Sequence, residues 1–171
     1  RAPPAAGAPP GAAPARTAMR TADHSPWCTV AGSDPTGGAG LHGALKTLAA
    51  HGVYGTAVFT AVTVQGRRGV ARVEAMGPDL VGEQLDVVLE EVRPRGLKTG
   101  MLWDAPTIRA VASRLVGAGF PVVVDPVLAA TPGGDLLHPE ALTALRDDLL
   151  PLADVATPNL LEGARLLGGE A

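Results

Sequence analysis

Residues 32–40 read Gly32-Ser33-Asp34-Pro35-Thr36-Gly37-Gly38-Ala39-Gly40, between a short apolar run and a helical pattern of leucines. Glycine lets a backbone approach a ligand closely, and the first N–H groups of a helix have no partner within that helix. The stretch is not a Walker A loop, because Gly38 stands where the lysine would be, and it is not a GxGxxG fingerprint. A tight strand-to-helix turn without a ligand is the simpler interpretation, but four glycines and an aspartate within nine residues favour a binding loop.

The rest of the chain alternates between strand-like and helix-like segments. Short runs rich in β-branched residues predict strands at residues 27–31, 54–64, 96–101, 121–125 and 154–157, the second of them a buried strand. Apolar residues at helical spacing predict helices after Leu41, after Pro78, after an N-cap at Asp104, around Leu142 and after Asn159. This strict alternation, five times over, predicts an α/β fold with a mainly parallel sheet and helices on its faces. In such sheets ligands bind outside the carboxyl ends of the strands.

The composition excludes several classes of function. A net charge of −3 without a basic stripe argues against nucleic acid as a partner. No apolar run reaches the roughly 20 residues needed to span a bilayer, so we expect no membrane partner. Cys28 is the one cysteine and cannot form an internal disulfide, so we expect a reducing compartment and a cytoplasmic protein. The Ala- and Pro-rich residues 1–26 predict a disordered tail, with an organelle transit segment as the less favoured alternative.

Polar residues follow three of the predicted strands, and each has two interpretations. Gln65 either faces solvent in a turn or reads the edge of a heterocycle with its amide. Asp125 ends a strand of valines and either caps the next turn or belongs to a metal and phosphate site. Asn159 and Glu162 stand three apart at a helix start, a spacing that by itself favours a capping box over a ligand site.

Taken in order, five blocks of the sequence resemble a known family. They are Thr29-Val30-Ala31-Gly32-Ser33-Asp34-Pro35-Thr36-Gly37-Gly38-Ala39-Gly40, continued by Leu45-Lys46-Thr47 and His51-Gly52-Val53-Tyr54-Gly55; Thr60-Ala61-Val62-Thr63-Val64-Gln65; Lys98-Thr99-Gly100-Met101-Leu102; Val124-Asp125-Pro126-Val127; and Thr157-Pro158-Asn159-Leu160-Leu161-Glu162. The family is the hydroxymethylpyrimidine/phosphomethylpyrimidine kinases of thiamine biosynthesis, which have a three-layer ribokinase-like fold. The resemblance identifies residues 27–171 as the N-terminal part of such a kinase domain. Its first two blocks are specific, whereas the Asn-Glu pair marks only the wider superfamily.

The resemblance implies two ATP-dependent phosphorylations, first of 4-amino-5-hydroxymethyl-2-methylpyrimidine and then of its monophosphate. Gln65, Gly32, Ala39 and Met101 match positions that line the pyrimidine pocket. The resemblance assigns Asp125, Asn159 and Glu162 to Mg²⁺ and the nucleotide phosphates, with Glu162 holding Mg²⁺ through water. Kinases of this fold often pair, so a homodimer is one expectation for the assembly.

The sequence departs from the family pattern in two places. Ala44 stands where the family usually carries an acid, so a polar contact to the pyrimidine is missing. The later glycine-rich anion hole of the family, with the group proposed as base, has no match up to Ala171. Phosphoryl transfer depends on positioning and on donors aimed at developing charge. We therefore identify no catalytic residue in the chain and expect the sheet to be incomplete on its C-terminal side and these residues alone to be an inactive fragment.

Two other functions stay open. The first is a related ribokinase-like kinase for another small alcohol of the pyridoxal type, against which Gln65 and the first block argue. The second is a non-catalytic pyrimidine-binding or regulatory domain, which Ala44 and the missing anion hole favour.

Overall fold

The computed structural model describes residues 25–128, 137 and 140–169. Residues 1–24 of the predicted tail lie outside the described residues, so the prediction for the tail stays a prediction. The elements, in chain order, are β1 Trp27–Gly32, α1 Gly40–Ala50, β2 Gly55–Gly66, β3 Gly69–Ala75, α2 Pro78–Val87 with a π-helical extension Val88–Val92, β4 Leu97–Thr99, α3 Ala105–Leu115, β5 Val122–Val124, α4 Ala141–Ala144 extended by the π-helical turn Leu145–Leu149 and the 3-10 turn Leu150–Leu152, β6 Val155–Ala156 and α5 Leu160–Leu166.

The strands form a six-stranded sheet in the order β3-β2-β1-β4-β5-β6. Every neighbouring pair is parallel except β2 and β3, which form an antiparallel hairpin. This architecture confirms the predicted α/β fold with a mainly parallel sheet. Because the strands are parallel, the carboxyl ends of β1, β4, β5 and β6 meet at one edge of the sheet.

The predicted strict alternation of strand and helix is wrong after β2. Residues 69–75 form β3, which returns directly through the turn that contains the exposed Arg67 and Arg68. The strand lies at the edge of the sheet, and Arg72 and Glu74 are exposed within it. A half-exposed edge strand has only a weak apolar pattern, and the sequence therefore gave little sign of it.

The prediction of a buried second strand is also wrong in part. Val58 and Thr60 are completely buried, but Phe59, Val62 and Val64 are 38%, 48% and 56% exposed. Helix α1 packs against the beginning of this strand, where a Cβ at Gly55 would lie 2.9 Å from the side chains of Leu45 and Leu48. The later half of β2 extends beyond that cover, so Val62 and Val64 stay half-exposed.

Helices cover the two faces of the sheet unequally. Cys28 and Val30 of β1 pack in one core cluster with the buried side chains of α2, α3 and α4. Alternate residues of a strand point to opposite faces, so Thr29 and Ala31 lie on the other face, with α1. The structure thus has three layers, with a single helix, α1, packed beside β1 and β2 on the second face of the described sheet.

The inward-facing residues of the helices were largely predictable. Val81 and Leu85 of α2 are fully buried, as are Ile108 and Val111 of α3. Asp104 is the N-cap of α3, because its carboxylate accepts a hydrogen bond of 2.9 Å from the N–H of Thr107. Among the helices of residues 25–169 that the structure describes, none is long and apolar enough to cross a membrane.

Candidate active site

A cavity of about 530 Å³ runs along the α1 face of the sheet to the carboxyl ends of the strands, beside the glycine-rich loop. Its lining includes the four residues predicted for the pyrimidine, Gly32, Ala39, Gln65 and Met101, which we call the pyrimidine end. Asp125 lines the same cavity, but Asn159 and Glu162 do not. We call these three residues, which follow β5 and β6, the phosphate end.

Asp34 organises the glycine-rich loop from within. Its carboxylate accepts hydrogen bonds from the N–H groups of Ala39 at 2.8 Å, Gly38 at 3.1 Å and Thr36 at 2.9 Å, and also from the Thr36 hydroxyl. The side chain is 2% exposed. Burial by itself would raise the pKa of the Asp34 carboxyl, but the hydrogen bonds from Thr36, Ala39 and Gly38 outweigh burial and lower the pKa below its ordinary value. A charged carboxylate therefore holds the loop in one shape.

Two glycines lie where the loop meets the sheet. Gly40 has φ of 54°, and a Cβ at this position would lie 2.4 Å from the carbonyl oxygen of Gly32. A Cβ at Gly32 would lie 3.2 Å from the sulfur of Met101, inside ordinary contact distance. Gly40 is therefore required for the close approach of the loop to β1, whereas a Cβ at Gly32 would require the Met101 side chain to shift by a few tenths of an ångström.

The loop is also anchored to β2, the strand that ends near Gln65. The N–H of Thr63 donates to the Ser33 hydroxyl at 2.9 Å, and the Thr63 hydroxyl donates to the Ser33 carbonyl at 2.8 Å. The pairing of β2 with β3 shifts register between Val64 and Gln65, an irregularity that re-aims a side chain. These bonds fix the loop and Gln65 relative to each other.

Met101 is held by a residue that the sequence analysis did not single out. The Thr60 hydroxyl on β2 donates to the Met101 carbonyl at 2.6 Å, and both residues are buried. Trp103, two residues further on, has φ of 74°, a conformation that is uncommon for a residue with a side chain and is found in strained segments near functional sites. Thr60 thus connects the middle of β2 to the turn after β4.

Lys98 is the second residue that the analysis of the sequence missed. Its ammonium donates to the Asp125 carboxylate at 3.0 Å and to the carbonyl of Thr99 at 3.3 Å, and it lines the cavity. The sequence signs were its place in the block Lys98-Thr99-Gly100-Met101-Leu102 and its charge inside the short strand Leu97–Thr99. Asp125 is therefore part of an ion pair at the mouth of the site.

Asn159 and Glu162 form the capping box that their spacing favoured. The N–H of Glu162 donates to the Asn159 side chain at 2.9 Å, and the N–H of Asn159 donates to the Glu162 carboxylate at 2.8 Å. Glu162 is 8% exposed, although Asn159 is exposed. The box satisfies the first free N–H groups of α5. It does not by itself assign the pair to a ligand.

The fit of Mg²⁺ to these carboxylates is limited but present. Within the described ranges, no three side chains of His, Cys, Asp or Glu cluster to hold a metal ion. Asp125 and Glu162 each use one carboxylate oxygen in the bonds given above, which leaves the other oxygen for a ligand. Mg²⁺ usually keeps several waters, so each of these oxygens can hold an ion through water, although Glu162 lies outside the lining of the cavity that Asp125 lines.

The family model described as phosphomethylpyrimidine kinase matches residues 34–171. The chain belongs to this family. A hydroxymethylpyrimidine/phosphomethylpyrimidine kinase from Rhizobium meliloti (strain 1021) is 47% identical over 140 residues, which are 82% of this chain and 53% of that protein. The chain spans about half the length of the curated relatives it matches.

Solved structures of two kinds of kinase share the fold. A phosphomethylpyrimidine kinase from Clostridium difficile 630 is 39% identical with a TM-score of 0.78, over 85% of this chain and 64% of that one. A pyridoxal kinase from Staphylococcus aureus, in complex with AMP-PCP and pyridoxal, is 31% identical with a TM-score of 0.75, over 88% of this chain and 54% of that one. Membership of the family confirms the resemblance and the ribokinase-like fold, whereas the roles of single site residues stay predictions.

Proposed function

We propose that this chain carries the pyrimidine-binding part of an ATP-dependent kinase that phosphorylates 4-amino-5-hydroxymethyl-2-methylpyrimidine and then its monophosphate, on the route to thiamine diphosphate. The observation that carries the proposal is that Gln65, Gly32, Ala39 and Met101 line one and the same cavity at the carboxyl ends of the strands. Family membership supports the reaction type.

Each residue of the pyrimidine end has a physical role in this proposal. The Gln65 amide donates to and accepts from the edge of the heterocycle, which fixes its orientation. Met101 and Ala39 give apolar contacts to the faces of the ring, and Gly32 leaves room for the ring to approach the backbone. Together these contacts exclude water and place the hydroxymethyl group toward the strands that end at Asp125.

At the phosphate end, Asp125 and Glu162 would hold Mg²⁺ partly through water, and Asn159 would support that helix start. When bound, the ion neutralises charge on the nucleotide phosphates. Lys98 keeps Asp125 in place through the ion pair. We assign no general base to any residue of this chain. We therefore expect the 171 residues alone to bind the pyrimidine more readily than they phosphorylate it.

A kinase of the pyridoxal type is the second candidate, because the Staphylococcus aureus neighbour is a pyridoxal kinase with pyridoxal bound. Ala44 bears on the choice, since it lines the cavity and offers no polar contact to the amino group of the pyrimidine. A non-catalytic pyrimidine-binding domain is the third candidate. All three candidates predict that the cavity binds a small molecule. They differ in the phosphorylated product, which the third candidate does not form.

A phosphorylation assay separates them. The 171-residue chain, and the chain extended through its reading frame, are incubated with ATP, Mg²⁺ and either the pyrimidine alcohol, its monophosphate or pyridoxal, and products are identified by mass. Transfer to both pyrimidines by the extended form supports the proposal. Transfer to pyridoxal alone supports the second candidate, and binding without any transfer supports the third.

We place the protein in the cytoplasm, without a nucleic-acid or membrane partner. Cys28 is free and buried, and burial raises the pKa of its thiol to about 11, so it stays protonated and unreactive. With one cysteine the chain cannot form an internal disulfide, which is typical of proteins in a reducing compartment. We also propose a homodimer, which sedimentation of the protein would test.

A further inference from the structure

Lys98 stands between the two ends of the site. Its strand, β4, lies between β1, which leads to Gly32, and β5, which leads to Asp125. The ammonium lies 3.0 Å from the Asp125 carboxylate and lines the same cavity as Gln65. Among the lining residues that the structure describes, Lys98 is the one that carries a positive charge.

The ammonium of Lys98 has a donor to spare. An ammonium carries three N–H donors. One is directed to Asp125 and one to the carbonyl of Thr99, and the third has no partner in the part of the chain that the structure describes. The side chain is 38% exposed, so a ligand in the cavity can reach it.

The ion pair between Lys98 and Asp125 contributes too little to the stability of the fold to be explained by it. Both side chains are about a third exposed, and pairs with that exposure contribute little to stability, typically about 0–1 kcal/mol. The pair does, however, control charge at the mouth of the cavity. A phosphate brought beside Asp125 alone would be repelled by its carboxylate, whereas an uncharged alcohol would not.

We propose that Lys98 is a specificity-determining residue that recognises the phosphate of the pyrimidine monophosphate. It donates its spare N–H to a phosphate oxygen and offsets the charge of Asp125, so that the substrate of the second phosphorylation is accepted at the site that binds the alcohol. The inference rests on the proposed function and adds to it the residue that separates the two substrates.

The test compares two ligands on matched variants of the chain. The pyrimidine alcohol and its monophosphate are titrated by calorimetry into the wild-type chain, Lys98→Met, Lys98→Arg and Arg109→Met. Methionine keeps the length of the lysine stem without the charge, and arginine keeps the charge. Arg109 forms an ion pair of the same 3.0 Å length with Asp148 and lies outside the cavity lining, so its variant controls for the loss of one positive charge.

We expect Lys98→Met to lower the affinity for the monophosphate by about tenfold or more and the affinity for the alcohol by less than about twofold. The reason is that a hydrogen bond to a charged group is lost for one ligand only. Lys98→Arg should recover most of the loss, and Arg109→Met should bind both ligands normally. Three results would overturn the role of Lys98 alone. They are an equal loss of affinity for both ligands in Lys98→Met, an unchanged affinity of Lys98→Met for the monophosphate, and a wild-type chain that binds the alcohol but not the monophosphate. Binding of neither pyrimidine by the wild-type chain would overturn the proposed function and this inference with it.

Discussion

The pyrimidine end and the phosphate end of the site differ in what their polar groups are bonded to. At the pyrimidine end, Asp34 holds the glycine-rich loop, Ser33 ties it to Thr63, and Thr60 holds the turn at Met101. At the phosphate end, Asp125 is paired with Lys98, and Glu162 is bonded to the backbone of Asn159. The first set of bonds shapes a cavity, whereas the second set uses one oxygen of each carboxylate that a ligand would need.

The difference indicates how each end takes up its ligand. A preorganised cavity avoids the cost of ordering loops on binding, so the pyrimidine end can accept a ring without rearrangement. The carboxylates of the phosphate end have to share their oxygens with a metal ion or its waters. We therefore expect changes at the first end to affect shape and binding together, and changes at the second to affect charge-dependent steps alone.

The largest effect should come from Asp34→Ala. Removing the carboxylate leaves three N–H groups of the loop without their acceptor, which should destabilise the fold by about 3 kcal/mol. The loop would then have to be ordered at the expense of binding energy, so pyrimidine affinity should fall by about a hundredfold. Thermal unfolding and calorimetric titration measure the two losses.

Asp104→Ala is the matched control, since it removes a carboxylate that also accepts a backbone N–H but lies at the start of α3. This variant should lower the free energy of unfolding by about 1 kcal/mol and leave pyrimidine binding unchanged.

The pKa of Asp34 is lower than its ordinary value of 3.8, so its carboxylate contributes stability above that pH, and this stability is lost as the pH falls through the folded pKa. Asp34→Asn should remove this part of the acid sensitivity. Unchanged pyrimidine affinity of Asp34→Ala would contradict the claim that the bonds of the loop preorganise the pyrimidine end.

A smaller effect is expected for Thr60→Val. The valine has nearly the same shape but leaves the buried carbonyl of Met101 without its donor, which should cost about 1–2 kcal/mol of stability and about tenfold in pyrimidine affinity. Thr107→Val is the control, because the buried Thr107 hydroxyl has no hydrogen-bond partner within the described residues. If both variants bind equally well, Met101 is not positioned by Thr60.

The smallest effect is expected for Glu162→Gln, which changes charge and keeps the capping box, since glutamine also serves at that helix position. The melting temperature should stay the same, because the one amide oxygen can still accept from the N–H of Asn159. Mg²⁺-dependent binding of ADP should weaken by about threefold, because an NH2 group, which cannot accept from a metal-bound water, replaces the second carboxylate oxygen. Calorimetry at two Mg²⁺ concentrations measures it. A lower melting temperature with normal Mg²⁺ dependence would leave Glu162 with the capping role alone.

The sequence was most informative where a local pattern has a single physical meaning. The helix start at Asp104, the inward faces of α2 and α3 and the capping box at Asn159 follow from spacing alone. The cavity lining at Gln65, Gly32, Ala39 and Met101 came from the family resemblance, since spacing left Gln65 undecided.

The remaining features depend on contacts between residues far apart in the chain. Strand β3 was missed because half-exposed edge strands have weak apolar patterns. The bond from Thr60 to Met101 joins residues 41 apart, and the pair Lys98–Asp125 joins residues 27 apart. Such contacts appear only once the strand order is known: β1 alone separates β2 from β4 in the sheet, and β5 lies beside β4.

The central claim is that the cavity beside the glycine-rich loop binds a pyrimidine through Gln65. The most direct test is a calorimetric titration of the pyrimidine alcohol into the wild-type chain, Gln65→Ala and Arg67→Ala, the last being an exposed turn residue two positions further on. Loss of a buried hydrogen-bond partner costs about 1–3 kcal/mol, so Gln65→Ala should weaken binding by about fivefold to a hundredfold with little change in melting temperature. Arg67→Ala should bind as the wild type does. Equal affinity of all three proteins would contradict the claim, because Gln65 would then face solvent.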